Sequence, residues 1–75
     1  MSYISGWYEG EYGPVMVELV NVKDVEDLAG VLYANYGSDC VGVDMELEGE
    51  FTDGSDLEDS IESLWSELEY LYQTK

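Results

Sequence analysis

Eighteen aspartate and glutamate side chains stand against two lysines in this 75-residue chain, which has no arginine and no histidine. Any compact state must therefore close against a formal net charge of -16, and like charges in such excess oppose compaction. An acidic chain that was also poor in apolar residues would stay disordered. Here 45% of the residues are hydrophobic and 13% are aromatic, and they recur in regular periods. Such periods mark packed faces, so one folded domain spanning residues 1–75 is expected. A domain of this size hides only about 60% of its unfolded surface, which leaves little material for a deep cleft.

The charge also excludes classes of ligand. Affinity for nucleic acid comes largely from Lys and Arg displacing counterions, so no direct nucleic-acid binding is expected. The same repulsion disfavours anionic membranes. No stretch approaches the roughly 18 apolar residues that span a bilayer. Met1-Ser2-Tyr3 opens without the basic residues and apolar core of a signal peptide, so a soluble cytoplasmic protein is expected. The single cysteine, Cys40, allows no internal disulfide and fits a reducing compartment.

Along the chain, Tyr3 to Tyr8 reads as a first strand, and the glycines and proline of Glu9 to Pro14 read as a hairpin connection. Val15, Val17 and Leu19 alternate with Met16, Glu18 and Val20, which gives a second strand buried on its odd-numbered face. Val25, Leu28, Ala29, Leu32, Tyr33 and Tyr36 then follow helical spacing. Asn21 or Asp24 can cap the start, and Gly37 sits at the C-terminal end. From Cys40 to Glu50 the alternation is sharpest: Val41, Val43, Met45 and Leu47 on one side, Asp44, Glu46 and Glu48 on the other. Ser55 and Glu58 have capping-box spacing, so a second helix is expected from Asp56 to about Gln73, with the stripe Leu57, Ile61, Leu64, Trp65, Leu68, Leu71 and Tyr72.

The order strand-strand-helix-strand-helix predicts a two-layer α+β domain: a three-stranded antiparallel sheet with two helices on one face. Strand one is placed in the centre, with strand three as an acidic edge; a parallel pairing of strands two and three is the alternative. The expected core is Val15, Val17, Leu19, Leu28, Leu32, Val41, Val43, Met45, Leu47, Ile61, Leu64, Trp65 and Leu68, with Tyr33 and Tyr36 on the first helix's stripe.

Most catalytic constellations vanish with His and Arg, so no enzyme activity is expected and no cofactor is implied. Cys40 has neither a histidine nor a cationic neighbour to activate it and reads as a small core or edge residue. The loop Asp53 to Asp59 offers several oxygen ligands, but glycine directly follows the first aspartate, which does not match an EF-hand, and no metal site is assigned.

The distribution of the acids is more informative than their number. Eleven of the eighteen fall between Asp44 and Glu69, whereas the first 23 residues hold three. A solvated coat of the kind found in salt-loving organisms should be more even. Strand neighbours two apart share a face at about 6.6 Å, so Asp44, Glu46 and Glu48 form a row that Glu50 extends. Helix neighbours such as Glu58 and Glu62 would lie about 5 to 6 Å apart. Phosphates on one DNA strand advance about 3.4 Å each along the axis, and winding nearly doubles the actual gap. To a basic groove, such rows would look like a short piece of nucleic acid.

In size, charge and patterning the chain resembles the small acidic DNA-mimic proteins, many from phages and mobile elements, that block restriction enzymes, CRISPR nucleases, DNA glycosylases or nucleoid proteins. The opening Tyr3-Ile4 strand with its hairpin, and Ile61-Glu62-Ser63-Leu64-Trp65-Ser66-Glu67-Leu68, are also similar to the N-terminal part of ArdA-type antirestriction proteins. The resemblance implies an antirestriction or anti-CRISPR inhibitor whose partner is a basic nucleic-acid-binding protein of the host. The expected partner-binding residues are Asp44, Glu46, Glu48, Glu50, Glu58, Asp59, Glu62, Glu69 and Tyr70. Tyr8 and Tyr12 are further candidates, since Tyr and Trp favour interfaces. The alternatives are an acidic interaction or immunity module for another basic protein, and a halophile-type domain without mimicry. Monomer and homodimer are both open.

Overall fold

The computed structural model describes residues 2–74. Three strands, β1 (Tyr3–Gly10), β2 (Gly13–Val20) and β3 (Met45–Gly49), form one sheet in the order β2-β1-β3, and both pairings are antiparallel. Helices α1 (Val25–Tyr36) and α2 (Ile61–Gln73) complete the expected α+β fold. No described helix is long and apolar enough to cross a membrane.

The hairpin is tighter than the glycine cluster suggested. Gly10 pairs directly with Gly13, so each strand runs two residues further and only Glu11 and Tyr12 turn the chain. On β1, Ile4 and Tyr8 are buried with Gly6 between them, which puts Tyr3, Ser5 and Trp7 on the opposite face. Gly6 lies between Val17 and Leu47 on its two neighbours, and a Cβ there would drive into the Glu46 carbonyl. The close approach of β3 to the central strand thus requires a residue without a side chain.

Asp24 caps α1: its carboxylate accepts the Asp27 N–H at 2.9 Å, and Gly37, at φ 67°, closes the other end through its N–H to the Tyr33 carbonyl. Leu28, Ala29 and Leu32 face the core. The second helix departs from expectation. Ser55 is not its cap, because the Ser55 hydroxyl and N–H both donate to Asp53 Oδ1, at 2.6 and 2.9 Å. With that local turn competing for the serine, Leu57–Ser60 forms a 3-10 turn and the α-helix starts only at Ile61. Leu64 and Leu68 are its buried residues, whereas Trp65, expected in the core, is 47% exposed at the margin of the stripe.

Strand three is also shorter than its alternation. Gly37–Cys40 is a 3-10 turn and Gly42 takes φ 73°, so the strand begins at Met45, and Val41 and Val43 pack half-buried beside the core rather than within the sheet. The in-out alternation nevertheless persists. Asp44, Glu46, Glu48 and Glu50 are exposed while Met45, Leu47 and Phe51 are buried. Cys40 takes the core place read for it, Ala29 and Leu57 follow from the expected helical stripes, and Ile4, Tyr8, Val22 and Phe51 join the core beyond the residues expected; Val15, Leu19 and Ile61 are only partly buried.

Candidate acidic interaction surface

The buried residues of both helices join one core with the inward residues of the sheet, so the other sheet face is open. Register defines its contents. Met16, Trp7 and Glu46 lie side by side across the three strands, as do Glu18, Ser5 and Glu48, and Val20 stands beside Tyr3. Tyr3, Met16 and Val20 are each at least half exposed. Carboxylates and apolar side chains therefore share one surface, with the acids concentrated at the β3 side. The apolar members were not among the expected site residues, although the Met16, Glu18, Val20 alternation marked that face.

Around the β3 edge this surface continues into a groove of about 920 Å3, bordered by Glu46 and Glu48 on the strand and by Asp56, Glu58, Ile61 and Trp65 across from it. A second groove, about 500 Å3, is lined by Asp44, Glu62, Trp65 and Glu69. Trp65 borders both. Its exposure follows from this position: the margin of α2 overhangs the open strand edge rather than the core.

Six expected residues, Asp44, Glu46, Glu48, Glu58, Glu62 and Glu69, thus line the two adjoining grooves. Glu50 continues the β3 row and is bridged to Asp56. Asp59, exposed in the 3-10 turn, and Tyr70, 62% exposed on α2, line neither groove. Glu58 and Glu62 do not belong to one α-helix, so their expected helical spacing does not apply. Lys23 is the one basic side chain among the described residues; it lies before α1 and lines neither groove.

Tyr12 is almost fully exposed at the hairpin tip, but Tyr8 is corrected from a candidate contact to a core residue. Its ring meets Tyr36 edge to face at 5.6 Å. Burial, followed by the nearby Asp39, Cys40 and Tyr36, pushes the Tyr8 phenol above its ordinary value. Cys40 is 1% exposed, its Sγ donates to the Gly37 carbonyl at 3.2 Å, and burial raises its thiol pKa, which keeps it protonated and unreactive. The Ser55 hydroxyl and N–H hold the Asp53 carboxyl below its ordinary value. Among the described residues, no three Cys, Asp or Glu side chains are grouped to hold a metal ion.

No protein-family model, curated protein or solved structure significantly matches this chain.

Proposed function

We propose that this protein is a nucleic-acid-mimic inhibitor, which occupies the basic DNA- or RNA-binding groove of a host defence or DNA-processing protein in the host cytoplasm. It acts by occupation and catalyses no reaction. The observation that carries this function is the convergence of Glu46 and Glu48 on β3, and of Asp44 just before it, with Glu58, Glu62 and Glu69 across two adjoining grooves. On β3 the acids are held by a paired backbone at about 6.6 Å intervals, close to the phosphate spacing of a nucleic-acid strand. Preset spacing lowers the ordering cost of association. Complementary charge also raises the encounter rate.

A second function, neutralisation of a basic partner such as a toxin at a surface that does not bind nucleic acid, is favoured by the exposed Tyr3, Met16 and Val20, which phosphate mimicry does not require. Kinetics on candidate targets test the first. Glu46→Lys with Glu48→Lys should slow association strongly at low salt, and reversal of Glu9 and Glu11 should slow it less. Equal effects from the two pairs would show that only net charge matters and would remove the mimicry.

A further inference from the structure

The two edges of the sheet are protected differently. Glu9 N–H donates to the Asp44 carbonyl at 2.9 Å, which fixes the phase of the β1–β3 ladder. In an antiparallel pair the bonded positions alternate, so with Trp7 opposite Glu46 and Ser5 opposite Glu48, residues 44, 46 and 48 direct their main-chain groups at β1. Met45 and Leu47 direct theirs at the other edge. Among the described residues no strand pairs there, and the free edge ends where Glu50 bridges to Asp56. On β2 the outer edge carries Pro14, which has no N–H, and the Met16 carbonyl accepts the Tyr36 hydroxyl at 3.4 Å.

The β3 edge has neither of these main-chain devices: Ile61 and Trp65 border it across the groove, and its main guard is its carboxylates. They repel an acidic strand, and a second copy of this chain would bring the same acidic row and its own net charge of -16 to the contact. They attract a basic strand. We propose that β3 is a docking edge for an extended Lys- or Arg-bearing segment of the partner, which joins the sheet as a fourth strand. Side chains on its outer face would meet Glu46 and Glu48, and those on its inner face would meet Ile61 and Trp65, so the segment alternates basic and apolar residues. This docking mode rests on the basic partner proposed above and adds main-chain recognition to it.

The probe is a seven-residue peptide alternating Lys and Val, compared with two versions carrying N-methyl groups on the valine amides or on the lysine amides. Charge is identical in all three. In antiparallel addition the valine amides face Met45 and Leu47. Their methylation should lower affinity at least about tenfold, since each lost hydrogen bond costs about 1 kcal/mol and 1.4 kcal/mol is tenfold, while lysine-amide methylation changes it little. The Met45 and Leu47 amides should exchange more slowly with the parent peptide bound. Sensitivity confined to the lysine amides would mean parallel addition and would equally support docking at this edge. Equal affinity for all three peptides, with no protection of those amides, would overturn strand addition. That outcome would leave mimicry standing, because competition with nucleic acid does not depend on how the two backbones meet.

Discussion

Trp7 and Glu46 are cross-strand partners on the sheet face that neither helix covers. In the proposed complex a large aromatic and a carboxylate side by side would serve different stages of one encounter: the charge would steer approach, and the ring would hold the complex once water is expelled. Trp7→Ala should therefore speed dissociation, costing about 1 to 2 kcal/mol of binding if it is an anchor, with an effect that persists at high salt. Glu46→Lys should mainly slow association and lose its effect as salt rises. Surface plasmon resonance across a salt series separates the two. Salt-dependent loss from Trp7→Ala would show that the ring only supports the placement of the carboxylate.

Gly6→Ala should destabilise the fold by about 1 to 3 kcal/mol, the range for forcing extra volume into a packed site, because its methyl group would meet the Glu46 carbonyl. Urea denaturation measures this. Unchanged stability would mean that β1 and β3 can separate without loss of pairing.

Leu64→Ala should cost about 2 to 5 kcal/mol, as expected for a buried leucine, which a domain this small can hardly withstand. Trp65→Ala, one position on, removes a 47% exposed ring and should cost much less. Thermal melts of the two variants give the comparison, and a larger loss from Trp65→Ala would reverse the assigned facing of α2.

Much of the fold is legible in the sequence because periodicity reports faces directly. The alternation Met45, Glu46, Leu47, Glu48 identified an acidic edge strand before its partner was known, and Asp24 and Gly37 bounded α1 by their own chemistry. What failed were choices decided between neighbours. Ser55 had the spacing of a cap, yet Asp53 took its hydroxyl, and that shortened α2. Trp65 follows the helical stripe in sequence, but the stripe centres on Leu64 and Leu68 and leaves the ring over the β3 edge. Tyr8 and Tyr3 are chemically identical, and only strand register decides that one is core and the other open surface. The acidic row was readable; the apolar patch beside it required the assembled sheet.

Stability should rise with added salt and on mild acidification from neutral pH, since both reduce repulsion among sixteen net negative charges. On the alkaline side it should fall. Cys40 and Tyr8 have raised folded-state values, so the stability they contribute is complete below the ordinary thiol value of 9.0 and phenol value of 10.0 and is lost as pH climbs through the raised ones. Asp53 has the opposite sign, because its lowered value withdraws support only in acid below 3.8. Melting curves from pH 5 to 11 should decline above pH 9, and a curve flat through that range would mean that neither buried group gains from staying protonated.

Mimicry itself is tested most directly by measuring binding to a candidate restriction, CRISPR or DNA-repair protein with and without saturating duplex DNA or guide RNA. If Asp44, Glu46 and Glu48 stand in for phosphates, protein and nucleic acid need the same Lys and Arg of the target. The apparent Kd should then rise in proportion to the nucleic-acid concentration, with no ternary complex. Simultaneous binding of both at full affinity would contradict mimicry and leave the acidic interaction module in its place.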